Sequence, residues 1–256
     1  AGRGIDGFQV SGIASISSAS LRGLQIAGIT NQVRGDVRGI QLSSIYNQTS
    51  GDVSGAQLAL LNVGGAVDGA QIGLVNVARR IDGLQLGLVN VATESNARGA
   101  PIGLLSLAPD GRRAIEAWAA DVIPGRFGLK IGSQRLYTLL AVGASTNYLA
   151  AGVGLGVHLP GLRHYIDADL SIYEVRADDL EEAENIDAMA EARIMVGIPL
   201  DLGFSVFGGL SASGVMLWDD DRMKTAADLA LLSAGKVESG DFSMRISPGF
   251  FIGLSY

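Results

Sequence analysis

The sequence predicts an all-β protein. Residues 1–110 form a short-repeat, β-solenoid-like stack (or a β-meander), and residues 111–256 form an antiparallel β-barrel of about eight strands. Three observations carry this. Glutamine, glycine and asparagine recur with a period of 14–16 through the first hundred positions. After Pro109-Asp110-Gly111 the repeat gives way to longer segments that alternate apolar with small or polar residues. The chain also holds 36 glycines and only 18% charged residues. An average soluble domain carries about a quarter charged residues, so either less surface is made for water or much backbone packs closely through glycine.

The repeat is read from its side chains. The intervals between Gln9, Gln25, Gln41, Gln57, Gln71 and Gln85 are 16, 16, 16, 14 and 14, in that order. A glycine (Gly7, Gly23, Gly39, Gly55, Gly69, Gly83) precedes each glutamine by two. Asn31, Asn47, Asn62, Asn76 and Asn90 follow the glutamines by five or six residues. A degraded copy begins at Gly99, with Pro101 in the glutamine place and Ser106 in the asparagine place; in the first copy Ala14 stands where asparagine is expected. A helical-hairpin repeat needs ~33 residues, so this period admits only short strands and tight turns. Asp6-Gly7, Asp68-Gly69, Asp82-Gly83, Gly35-Asp36 and Gly51-Asp52 supply turn chemistry. In a stack the amides align as structural ladders, coil to coil; in a meander the same units pair as antiparallel hairpins. The Gly-Gly-x-Gly-x-Asp pattern of calcium-binding β-rolls does not occur.

The second half reads as strands at 113–123, 126–133, 135–145, 148–159, 163–175, 186–198, 202–217 and 242–256. The last is the clearest. Ile246, Pro248, Phe250, Ile252, Leu254 and Tyr256 share one face, and Arg245, Ser247, Gly249, Phe251, Gly253 and Ser255 share the other. The same alternation sets Ile166, Ala168, Leu170 and Ile172 against Asp167, Asp169 and Ser171. It also sets Ala192, Ile194, Val196 and Ile198 against Glu191, Arg193 and Met195. Most segments have the ~9–11 residues that a tilted membrane strand requires. On that reading the large faces meet lipid, while Lys130, Asp167, Asp169, Glu191, Arg193 and Arg245 point into the lumen and pair there, since unpaired charge away from water is costly. Two long charged connections, Arg176 to Asn185 and Asp219 to Asp241, contrast with short turns elsewhere, an asymmetry common in bacterial barrels. Thr225 to Ala234 reads as a small helix within the second. Residues 136–162 lack Asp, Glu, Lys and Arg and are long enough for a membrane helix, but Gly152, Gly154 and Gly156 at alternate positions favour a hairpin.

The end of the chain, with Phe250, Ile252 and Leu254 before the terminal aromatic Tyr256, resembles the C-terminal signature of outer-membrane barrels. The first half resembles a family of bacterial surface-repeat proteins that carry Gly-Leu-Gln-Leu-Gly-Leu-Val-Asn repeats before an outer-membrane segment. The likeness runs through Gly69–Asn76, Gly83–Asn90 and Gly99 to Leu105, and spans roughly residues 20–145. Ser43-Ser44 replaces the Gly-Leu of the pattern. The resemblance implies location and architecture and carries no chemistry.

Several classes are disfavoured by composition. The net charge of −7 gives no basic patch for nucleic acid. Without cysteine there are no disulfides or thiolate sites. No phosphate loop, dinucleotide fingerprint or His-Glu-x-x-His motif is present, so no metal or cofactor is expected. His158 and His164 flank a predicted turn at Pro160-Gly161. The chain opens at Ala1-Gly2-Arg3-Gly4 without a leader, as expected of an exported protein whose signal has been removed. The leading expectation is a non-enzymatic outer-membrane protein whose barrel anchors it in the lipid bilayer. Its repeat stack then meets another protein or a second copy. The alternatives are a small channel or carrier using the polar lumen, and a barrel-type hydrolase built on His158 or His164 with Asp167 or Asp169.

Overall fold

A computed structural model describes residues 4–94, 99–145, 148–177, 187–200, 203–217, 235–239 and 242–256, with backbone alone for 177, 187, 217, 235–239 and 242–245. The chain divides into two compact units, one of residues 1–112 with 131–136, the other of residues 113–130 with 137–256.

The first unit is a solenoid. Its strands are β1 (Ile5–Ser11), β2 (Ala14–Ser17), β3 (Leu21–Ala27), β4 (Thr30–Val33), β5 (Val37–Ser43), β6 (Tyr46–Thr49), β7 (Val53–Leu58) and β8 (Leu61–Ile72). They continue as β9 (Val75–Ile81), β10 (Leu84–Leu86), β11 (Val89–Ala92), β12 (Ala100–Ile102) and β13 (Leu105–Leu107). All pairings are parallel, and each strand pairs with its equivalent one coil away, as β1 with β3 and β2 with β4. Parallel pairing excludes the meander, whose hairpins would be antiparallel. Each coil runs through one strand, a corner, a second strand and a second turn.

Register follows residue identity. Gly7, Gly23, Gly39, Gly55 and Gly69 pair in sequence, as do the glutamines. The period shortens between Gln57 and Gln71 by losing one residue from each turn, and the strands stay aligned: Leu42–Tyr46 becomes Leu58–Leu61, and Gln48–Val53 becomes Val63–Val67. The column glycines are required. Gly23, Gly39, Gly55 and Gly69 have φ between +125° and +145°, and a Cβ on any of them would lie within 2.1 Å of the preceding glycine's carbonyl oxygen. One apolar strip, Leu21, Val37, Val53, Val67 and Ile81 with Val33 and Ala78, completes the interior beside the amides.

The second unit is a closed barrel. Its strands are β14 (Arg112–Ala120), β15 (Gly125–Gly132), β16 (Leu136–Ala144), β17 (Tyr148–Pro160), β18 (Tyr165–Ala177), β19 (Asp187–Pro199), β20 (Ser205–Leu217), β21 (Gly235–Ser239) and β22 (Phe242–Ser255). Neighbours follow chain order from β14 to β20, then β22, which closes on β14 through Glu116↔Ser255 to Ala120↔Phe251. Eight strands therefore make the wall, each within a few residues of its expected span. The segment 136–162 holds β16 and β17; among the described residues no helix is long and apolar enough to cross a membrane, which says nothing of strands.

One expectation is corrected. The stretch from Asp219 to Asp241, read as loop, contains β21, which pairs with the start of β22. Because β14 reaches only to Phe251 on that edge, residues 242–246 of β22 are left for β21 to cover. The expected helix at Thr225–Ala234 and the connection 178–186 lie outside the described residues.

Candidate functional site

The repeat unit brings its predicted amides together as two ladders. Gln25 Nε2 donates to Gln9 Oε1 at 2.9 Å, Gln41 to Gln25 at 2.9 Å, and Gln57, Gln71 and Gln85 each donate to the glutamine before at 2.8 Å. The asparagines donate the other way. Asn31 donates to Asn47, Asn47 to Asn62, Asn62 to Asn76 and Asn76 to Asn90 at 2.9–3.1 Å, and Asn90 to Ser106 at 3.4 Å. The two rows of amide dipoles therefore oppose one another. Gln25 to Gln85 and all five asparagines are buried, so each bond is made where an unmade one is expensive.

The asparagines have a second task. Asn31, Asn47, Asn62, Asn76 and Asn90 donate to the backbone carbonyls of Leu42, Leu58, Ile72, Leu86 and Ile102 at the corner of the next coil, at 2.8–3.0 Å. The first copy needs correction. Ser15, not Ala14, pairs with Asn31, because the inward parity of β2 falls on Ser15. Its hydroxyl lies 3.5 Å from the Ile26 carbonyl and supplies a weaker version of the same contact. Where Ser43-Ser44 departs from Gly-Leu, Ser43 Oγ donates to Asn47 Oδ1 at 2.9 Å.

In the barrel, the inward charges predicted from alternation form ion pairs. Lys130 Nζ lies 2.8 Å from both Glu116 Oε1 and Asp167 Oδ2, and all three side chains are excluded from solvent. His158 Nδ1 lies 2.5 Å from Asp167 Oδ1. Arg193 grips Asp169 with two bonds, Nε to Oδ1 at 2.8 Å and Nη2 to Oδ2 at 2.9 Å, and Tyr137 donates to Asp169 Oδ2 at 3.0 Å. Glu191 receives Arg126 Nη1 at 2.5 Å and Ser213 Oγ at 3.3 Å. Cations rest on rings as well: Lys130 over Tyr137, Arg126 over Tyr173, and Arg193 over Trp118 and Phe251. Inward glycines admit these rings. A Cβ on Gly156 would lie 2.2 Å from Tyr137, and one on Gly152 2.4 Å from Tyr173.

Arg245 occupies the lumen parity of β22, opposite Val215 and Lys236; its side chain lies outside those described. Phe250, Ile252, Leu254 and Tyr256 all point outward and are exposed, while Ser247, Phe251 and Ser255 are buried. Glu116, Arg126 and Tyr137 belong to the site without being singled out by the sequence. Counting back by twos from Lys130 reaches Arg126, and Glu116 alternates with the inward Ala114 and Trp118, so parity is the usable signal. The two histidines flank Pro160-Gly161: His158 lies within β17, directly opposite Asp167, and His164 sits exposed in the connection to β18.

Comparison with protein-family models, with curated proteins and with solved structures returned no match for this chain.

Proposed function

We propose that this chain is a non-enzymatic outer-membrane structural or surface-interaction protein, with the barrel as its lipid anchor and the repeat stack as a contact surface. One observation carries the reading: the barrel buries its charges, among aromatic and methionine side chains, and carries large aliphatic side chains on the outside. Leu155, Leu170, Ile194, Leu210, Phe250 and Ile252, drawn from five strands, are each 50–66% exposed, while Lys130, Glu191 and Arg193 are buried in the lumen. A soluble protein buries the first set and solvates the second; a transmembrane barrel does the reverse. The strands β17 to β20, of 13 residues each, are also long enough to cross. The connections reinforce this: those at 133–135, 161–164 and 200–204 are short and share one end, while the longest share the other. The likeness of Gly69–Asn76 and Gly83–Asn90 to surface-repeat proteins points to the same compartment.

Membrane fractionation tests the proposal. The protein is expected in the pellet after a sodium carbonate wash and in solution only with detergent. Recovery in the aqueous fraction would sink the barrel assignment. Paired lumen charges favour an anchor over a pore, and steady conductance from purified protein in a planar bilayer would reverse that preference.

A further inference from the structure

The outer surface of the repeat unit divides into two long edges. Along one, the first outward position of successive coils is Asp6, Arg22, Arg38, Ser54, Asp68 and Asp82, beside turns that hold Arg34, Asp36, Asp52 and Arg79. Along the other, the two strands of each coil meet at a convex corner. The corner residue runs from Ile13, Ile29 and Ile45 to Leu60, Leu74, Leu88 and Leu104, each 44–68% exposed. The outward columns on either side, starting at Phe8 and Val10 on β1 and at Ala14 and Ile16 on β2, contain no charged residue in any coil. Their polar groups are confined to Thr30, Gln32, Tyr46 and Gln48.

Much of the backbone at this corner is bonded internally. Its carbonyls accept the asparagine amides already described, and those of Ile72, Leu86 and Ile102 additionally accept the N–H groups of Ala59, Gly73 and Gly87. The N–H groups of Ile29, Ile45 and Leu74 donate to Ile13, Ile29 and Leu60 one coil earlier. A turn in water can leave such groups to solvent, whereas in hydrocarbon each must be satisfied internally.

We infer that this corner is immersed in the hydrocarbon of a bilayer, so that the repeat unit meets lipid rather than a protein partner. The inference deepens the membrane reading above and rests on it for the presence of a bilayer. Two facts favour lipid over a second copy. A convex edge meets another along a line and falls short of the ~1,200–2,000 Å² of a stable interface. The corner column itself holds nothing but isoleucine and leucine, and the flanking columns carry no arginine and just two aromatics, Phe8 and Tyr46, whereas protein interfaces lean on aromatic and arginine anchors. The charged edge runs parallel to the corner through the stack, so the axis lies along the membrane surface. An upright stack would draw those charges through the hydrocarbon, where each is costly. Six coil intervals of ~4.8 Å make the immersed edge ~29 Å long.

Because the chain has no cysteine, single-cysteine variants of the full chain can be labelled cleanly. Leu74→Cys and Leu88→Cys report the corner, Asp68→Cys the charged edge and Leu170→Cys the barrel exterior. Each carries a nitrobenzoxadiazole label in phosphatidylcholine–phosphatidylglycerol vesicles doped with doxyl-labelled phosphatidylcholine. Corner labels are expected to lose about twofold or more of their emission to the doxyl lipid and little to aqueous iodide, with the reverse at Asp68. Iodide quenching at both corner positions, or shielding there from both quenchers as under a protein partner, overturns the inference. If Leu170 is lipid-quenched while the corner is not, the corner inference alone fails. If the corner is quenched and Leu170 is not, the inference stands and the barrel reading falls.

Discussion

The two units bury polar groups in opposite ways. The solenoid uses neutral amides, one kind per column, each bonded to its equivalent 14–16 residues away. The barrel uses charges of both signs, bonded to partners 14, 24, 37 or 65 residues away that share no pattern with them. A ladder loses one rung at a time, because its members are interchangeable. An ion pair does not, because removing one partner leaves the other charged and dry. The units should therefore differ in how they fail.

The largest expected effect is at Lys130, which serves two buried carboxylates. Lys130→Met should destabilise the barrel by about 3–5 kcal/mol, the cost of stranding charge in a low-dielectric interior. It is read as a lower urea midpoint for unfolding in detergent micelles. Adding Glu116→Gln and Asp167→Asn should restore most of the loss, since the carboxylates are then neutral. If the triple variant is no better than the single one, packing rather than charge holds this site.

The next effect tests the barrel's outer face. Ile252→Arg places a charge on an exposed aliphatic position and should cost roughly 2–4 kcal/mol of insertion if it lies near mid-bilayer. Yield of folded, heat-modifiable protein after refolding into vesicles measures it. The adjacent Gly253 is no neutral control, because a Cβ there would lie 2.6 Å from both Phe207 and Trp118. Ser255→Ala, also inward, serves instead and should be nearly silent. Equal impairment by both would mean that the alternation of β22 does not separate lipid from lumen.

These contrasts explain what is legible in the sequence. Periodicity exposes the solenoid columns because in-register stacking makes the same demand on every coil, so Gln57 and Gln71 announce one another. Alternation exposes the faces of β18, β19 and β22 because a strand's parity is local. It also assigns Lys130, Asp167, Asp169, Glu191 and Arg193 to the lumen. Partners are not legible. Arg126 meets Glu191 only because closure and strand stagger bring β15 across from β19, and nothing near either residue encodes that. Crowding is hidden for the same reason: that Gly253 abuts Phe207 depends on the curvature of the wall. The expectation at Ala14 misses Ser15 by one residue, because the first three corners are one residue longer than those from Gln57 onward.

Within the stack, the glycine column separates strain from collision. Gly7 and Gly55 both have positive φ, 121° and 139°, but a Cβ on Gly7 meets nothing within 4 Å while one on Gly55 falls 2.0 Å from the Gly39 carbonyl oxygen. Gly7→Ala should therefore cost only the backbone strain, about 1 kcal/mol, and Gly55→Ala about 3 kcal/mol at the upper end of such effects. Thermal unfolding followed by far-ultraviolet dichroism distinguishes them. Equal shifts would mean that close approach adds nothing to conformational strain.

The smallest effects lie along the glutamine ladder and test whether its rungs are equivalent. Gln57 sits mid-stack, donating to Gln41 Oε1 at 2.8 Å and accepting from Gln71 at 2.8 Å. Gln57→Ala leaves both neighbours short of a partner in a dry interior, which should cost about 1–3 kcal/mol. Gln9 stands at the end of the ladder, accepts from Gln25 at 2.9 Å and is only partly buried. Water can replace the amide lost in Gln9→Ala, so the cost should stay within about 1 kcal/mol. Hydrogen exchange reads the difference locally: Gln57→Ala should speed exchange in β5, β7 and β8, and Gln9→Ala in β1 and β3 alone. A uniform increase through all coils from either substitution would show that the stack unfolds as one cooperative block, and the rung-by-rung contrast with the barrel would then be lost.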